Sequence, residues 1–255
     1  MSGRKLLAMR VVAATGLGMA AQWTPASGQV GDPPAGEVRQ IVTFLFQPGR
    51  AQQAQDIYRS QLVPIYRGLT DLVRFRAFRE AESPEPLDLI VVSGYRGMAG
   101  MDRANELLRQ PGPAGVSALA LYGTLAAMTQ WHHDQFAEML PALSDPPDRQ
   151  IEPGGELVVF EYLRLVPGGE GRLLASVRAE RSSPAALPGI VWSETGRMLV
   201  SDGWDVLRIF GVRSLGDWHR YLTARRSMAG FEAGDRSVAA RKTIIVRGLP
   251  DLAVR

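Results

Sequence analysis

The chain of 255 residues contains no cysteine. That excludes a disulfide framework and a cysteine nucleophile, so the hydrophobic core has to supply the stability. Lysine is nearly absent too: Lys5 and Lys242 are the only two, and arginine carries the remaining basic charge. Arginine suits bidentate pairing with carboxylates. No apolar run approaches the ~18 residues of a membrane-spanning helix. No Gly-x-Ser-x-Gly nucleophile elbow is present, and Gly94-x-x-Gly97-x-x-Gly100 has neither dinucleotide nor phosphate-loop spacing. With 45% hydrophobic and 22% charged residues, the composition is globular and excludes a disordered tail, a collagen or a coiled-coil rod.

Acidic residues are also missing from the start, where none precedes Asp32. The formal charge of +3 therefore arises in the leader, from Arg4, Lys5 and Arg10. A basic start, the weakly apolar run Val11–Ala21 and the small residues Ala26, Ser27 and Gly28 read as a signal peptide over 1–28, starting at Met1 or Met9. Cleavage near Gln29 predicts an exported protein, periplasmic or extracellular, without stable membrane insertion. The remaining chain has 26 basic and 26 acidic residues, so a nucleic-acid partner loses its electrostatic support.

What is present is a repeat. Asp88, Gly94 and Arg96 recur as Asp205, Gly211 and Arg213, all at an offset of 117. Upstream, Pro48-Gly49 recurs as Pro167-Gly168 at an offset of 119, each pair following an apolar strand. Strands are expected at 41–46, 72–81 and 87–96, with helices at 50–68 and 102–109. The second copy repeats this order and adds a closing strand at 242–246. Residues 29–38 read as a linker, 39–110 as the first unit, 111–153 as a helical connector and 154–255 as the second unit. The connector carries a helical stripe through Val116, Leu119, Tyr122, Leu125, Thr129, His133, Phe136 and Leu140. No fourth strand of the first unit is evident.

The order β-α-β-β-α-β is that of a ferredoxin-like unit. The duplicated pattern resembles the dimeric α+β barrel superfamily and its tandem members, including antibiotic-biosynthesis-monooxygenase-like, stress-responsive and NIPSNAP-like proteins. The resemblance implies an α+β fold of two tandem ferredoxin-like units, their sheets enclosing a barrel within one chain. It rests on element order and the repeat, not on a catalytic signature.

The histidines are few. His132 and His133 are adjacent, and read as helical they lack a metal ligand at i±3 or i±4, so neither a metal nor a cofactor is expected. His133 is the better inward candidate, with His132 beside it. Tyr58, Tyr66 and Trp204 are candidate contact surfaces for a ligand, and Arg76 a second polar anchor. His219 is expected to face outward and Trp218 to be core. The leading expectation is an exported protein that binds a small apolar ligand or a protein partner. The resemblance also implies a cofactor-light monooxygenase or haem-handling enzyme. A third reading is a structural module that forms a homodimer.

Overall fold

The computed structural model describes residues 36–145, 157–182, 187–227 and 235–254. The leader and the cleavage position lie outside them. Eight antiparallel strands close into a barrel in the order β1-β3-β2-β8-β5-β7-β6-β4. The first unit contributes β1 (Glu37–Phe46), β2 (Leu72–Glu82), β3 (Leu89–Arg96) and β4 (Thr129–Met139). The second contributes β5 (Leu157–Leu165), β6 (Ile190–Val200), β7 (Val206–Val212) and β8 (Val238–Gly248). Each unit is a four-stranded sheet with its first strand second from one edge. The two sheets join at β2–β8 and β4–β6, which leaves no sheet as an open one.

The repeated residues have visible tasks. Asp88 and Asp205 stand just before β3 and β7. The Oδ2 of Asp88 accepts the Phe46 N–H at 2.8 Å, and the Oδ2 of Asp205 accepts the Leu165 N–H at 2.7 Å. Each aspartate thus satisfies the last donor of its unit's first strand. Gly49 and Gly168 follow with φ of 79° and 71°, a left-handed turn that glycine adopts without a Cβ penalty. Gly94 and Gly211 make room inside the barrel. A Cβ at Gly211 would lie 2.1 Å from Nε1 of the buried Trp192, and one at Gly94 2.2 Å from Oε1 of Glu37. The offset of 117 therefore records shared packing constraints.

The helices pack on the outside. The helical stretch expected at 50–68 is α1 (Ala51–Ile57), a π-helical turn (Tyr58–Leu62) and α2 (Val63–Arg67). Pro64 follows directly on the π-helical turn, in a backbone that stays helical throughout, so its missing N–H falls at the irregular part of the ladder. Further helices among the described residues are α3 (Gly97–Leu108), α4 (Ala118–Met128), α5 (Glu170–Arg181) and α6 (Leu215–Arg226). In the first unit the helices cover Phe44, Phe46, Phe75, Leu89 and Val91. In the second, α6 brings Trp218 and Tyr221 onto Phe210. The opposite faces of both sheets meet inside the barrel, where Ile41, Phe78, Ile90, Phe160, Trp192, Leu207 and Ile209 fill its middle.

One expectation is corrected. The helical stripe over 116–140 stops at Met128, and Thr129–Met139 is the fourth strand of the first unit. It pairs with β1 along most of its length, Thr43 opposite His133 and Ile41 opposite Gln135. Gln135, Ala137 and Met139 are buried alternately, as a strand requires. His132 and His133 therefore point to opposite faces of a sheet. Asp134 and Glu138 likewise belong to a strand and are not helical i, i+4 neighbours.

Candidate functional site

Along β1 the inward side chains Arg39, Ile41 and Thr43 step from one end of the barrel to the other, as Val158, Phe160 and Tyr162 do along β5. The two ends differ in chemistry. At the Arg39 end the barrel is plugged by ions. Arg39 donates Nη1 and Nη2 to the two oxygens of Glu194 and Nε to Glu37 at 2.9 Å. Arg74 donates Nη1 to Glu194 at 3.1 Å and Nη2 to Glu37 at 2.9 Å. Burial alone would raise the Glu194 carboxyl, but Arg39, Arg74 and Arg76 together bring it below the ordinary carboxylate range. Burial likewise opposes the Arg39 charge, and Glu194 and Glu37 outweigh it. This end is closed and internally paired.

The other end opens into a cavity of about 480 Å³. Thr43, His133, Gln135, Tyr162 and Lys242 rise from its floor, with Trp131, Leu87, Trp204 and Ile244 as apolar walls. Two hairpin loops frame it. The β2–β3 loop brings Glu85, whose carboxylate lies 2.5 Å from the Lys242 ammonium. The β6–β7 loop brings Asp202, 3.0 Å from Nε2 of His133. That loop is built firmly. Ser201 Oγ accepts the Trp204 N–H at 2.9 Å and donates to the Trp204 carbonyl at 2.5 Å. Arg164 donates to the Gly203 carbonyl at 2.8 Å while its guanidinium lies 5.2 Å from the Trp204 ring centre.

Tyr162 stands out in this cavity. The residue is 2% exposed, and its hydroxyl has no hydrogen-bond partner among the described residues. Burial pushes its phenol well above the ordinary tyrosine value, so it stays protonated and able to donate. A buried donor without an acceptor costs folding free energy unless something else uses it.

Of the expected site residues, the structure brings His132, His133 and Trp204 to this opening. His133 lies at the floor. His132 reaches only the rim, its ring stacked near Phe44 on the outer face and its Nε2 3.4 Å from Asp134. Tyr58 and Tyr66 are buried elsewhere, between the helices and the outer face of the first sheet, and the Tyr66 hydroxyl pairs with that of Tyr122. Arg76 lies toward the ionic end, where its charge acts on Glu194. Tyr162, Lys242, Thr43 and Glu85 are site residues that the sequence reading passed over. The available signal was the repeat, since the offset of 119 carries Thr43 onto Tyr162.

A larger opening of about 620 Å³ lies on the outer face of the second unit beside α6. Its charged floor is already engaged: Glu161 is 3.2 Å from Arg225 and 3.3 Å from Arg241. The barrel mouth is therefore the better candidate. Among the described residues no three His, Asp or Glu side chains converge on a metal position.

The fold is a tandem ferredoxin-like α+β barrel closed within one chain. A protein provisionally described as a monooxygenase from Lactobacillus acidophilus NCFM matches with a TM-score of 0.60 at 10% identity, over 86% of this chain and 96% of that one. Another described in the same terms, from Fusobacterium nucleatum, gives 0.61 at 9% identity, over 84% and 93%. Chlorite dismutase from Candidatus Nitrospira defluvii, in complex with imidazole, gives 0.55 at 11% identity, over 86% and 93%. No protein-family model matches the sequence, and no curated protein does.

The residues present do not fit a haem. His219 is exposed on α6, and the Nε2 atoms of His132 and His133 are each engaged by an aspartate. Below the mouth, the barrel is filled by Phe160, Trp192 and their neighbours. The space between sheet and helices in the second unit holds Glu161, Glu180, Arg208 and Tyr221.

Proposed function

We propose that the barrel mouth binds a small planar organic molecule and activates it for oxidation by dioxygen without a bound metal or haem. The observation that carries this reading is the Tyr162 hydroxyl, a buried donor without a protein acceptor on a side chain that lines a cavity of ligand size. The likeness of the fold to monooxygenase-type proteins supports the class of reaction. The exported location expected from the leader is part of the same proposal.

The chemistry follows from the groups in place. With Nε2–H directed to Asp202, the His133 imidazole keeps Nδ1 as an acceptor. It takes a proton from the acidic O–H or C–H of the substrate, as a general base. The charge left behind settles on a substrate oxygen, which accepts the Tyr162 O–H and faces the Lys242 ammonium. Such preorganised donors favour the anion over its neutral parent. Dioxygen then takes the electron pair from the substrate carbanion, and the proton returns, so that R–H and O₂ combine to R–OOH.

Tyr162→Phe tests this. Oxygen uptake with a panel of small phenols and β-diketones should fall about 100-fold in kcat/KM for the variant, the loss seen when one oxyanion donor is removed. Folding stability should be unchanged or slightly higher, because the lost hydroxyl had no partner. Undiminished turnover in Tyr162→Phe would contradict the proposal. Tight binding with no oxygen uptake by the wild type would leave a ligand carrier in its place.

A further inference from the structure

The duplication makes the mouth two-ended. Glu85 and Asp202 are related by the offset of 117, as are Leu87 and Trp204. Thr43 and Tyr162 are related by the offset of 119, and their cross-strand partners are His133 and Lys242. The cavity thus consists of two matching halves. One holds Thr43 and His133, with Asp202 of the β6–β7 loop seated on His133. The other holds Tyr162 and Lys242, with Trp204 packed on Tyr162 and Glu85 of the β2–β3 loop seated on Lys242. In each half an acid from a hairpin loop of one unit meets a basic side chain on the last strand of the other.

These loop acids are weakly held. The Glu85 and Asp202 side chains are 59% and 76% exposed, and ion pairs of that kind contribute little. Glu85 also leaves the job half done. It neutralises Lys242 but does not reach the Tyr162 hydroxyl, which stays without an acceptor. Tyr162 and Lys242 are directly opposed on β5 and β8, so their side chains stand side by side on the face that lines the cavity.

We infer that the mouth takes a planar ligand with an oxygen function at each end, the ionised end on Lys242 and Tyr162 and the neutral end on His133 and Thr43. Glu85 holds the ionised position until the ligand displaces it, while Asp202 stays on His133. This rests on the reading of the mouth as a binding site and names the class of molecule it takes. The fixed charge of Lys242 assigns the ionised end, and the cavity volume of about 480 Å³ limits the ligand to one or two rings.

The test uses the full chain and four probes: 4-hydroxybenzoate, benzoate, phenol and naphthalene. Binding is read by calorimetry and by quenching of tryptophan fluorescence, since Trp131 and Trp204 line the mouth. 4-Hydroxybenzoate should bind about tenfold more tightly than benzoate or phenol, the gain of one further good hydrogen bond. Glu85→Gln should tighten benzoate and 4-hydroxybenzoate about fivefold by removing a competing carboxylate, and leave phenol unchanged. Lys242→Met should loosen both carboxylates at least about tenfold. Equal affinity for all four probes, no binding of any, or weaker carboxylate binding in Glu85→Gln would overturn the inference. The outcomes also separate the two proposals. Oxygen uptake that depends on Tyr162 with single-oxygen substrates only would leave the oxidation reading standing and remove this one. The affinity pattern above without oxygen uptake would do the reverse.

Discussion

Glu194→Ala is expected to cost about 3–5 kcal/mol of folding stability, the usual result of breaking a buried ion pair from one side. Against a typical total of about 5–15 kcal/mol, that brings the chain close to unfolding. The reason is the company Glu194 keeps. It accepts both terminal nitrogens of Arg39 and one of Arg74, and all three side chains are 8% exposed or less. Without it, the buried Arg39 and Arg74 are left to share Glu37. Removing charge from both sides should recover most of the loss. Arg39→Met combined with Glu194→Leu leaves Arg74 paired with Glu37 and adds apolar volume to the barrel interior. Urea denaturation of the single and double variants measures the difference. A double variant no more stable than Glu194→Ala would refute the account of this end as a balanced ionic plug.

Glu161→Leu should be comparably damaging, about 3–5 kcal/mol near neutral pH. Glu161 is fully buried on the outer face of β5, with Arg225 at 3.2 Å, Arg241 at 3.3 Å and Arg208 at 3.9 Å. Arg208 is fixed in turn by Glu180 at 3.0 Å, and Glu180 also accepts the Tyr221 hydroxyl. The leucine variant leaves these arginines with too little negative charge. The pH dependence adds a second reading. Burial would raise the Glu161 carboxyl, but Arg225, Arg241 and Arg208 hold it below its ordinary value. A depressed carboxylate contributes stability above its unfolded value of about 4.3, and that stability is lost as pH falls through the folded value. The gap in melting temperature between wild type and Glu161→Leu should therefore be widest above about pH 5 and narrow in acid. A gap that stays constant from pH 7 to pH 3 would show that packing, not charge, holds this position.

The fold was legible in the sequence where one residue has one task. Asp88 and Asp205 close a strand end, Gly94 and Gly211 clear space in the barrel, and the Pro-Gly pairs make a turn. Each leaves the same mark twice. Strand β4 was not legible, because its inward residues Trp131, His133 and Gln135 face a polar mouth. The alternation that announces a half-buried strand is absent there, and the accidental spacing of Thr129, His133, Phe136 and Leu140 imitates a helix. Tyr58 and Tyr66 were expected as ligand contacts, and the structure buries them away from the mouth. The spacing of a helix does not say which face of the sheet it covers, and theirs covers the outer one. Tyr162 was hidden in a strand apolar on both faces, where nothing in the local pattern separates the inward position from its neighbours. Only the comparison of the two copies, residue by residue, marks Thr43 and Tyr162 as counterparts.

The barrel mouth as the working site is tested most directly by diffraction from crystals of the protein grown with 4-hydroxybenzoate. The account predicts the ring between Trp204 and Leu87, its carboxylate within hydrogen-bonding distance of the Tyr162 hydroxyl and the Lys242 ammonium, and Glu85 turned away. Ligand density confined to the outer opening beside α6, or a mouth still closed by Glu85 with the Tyr162 hydroxyl unmet, would contradict it.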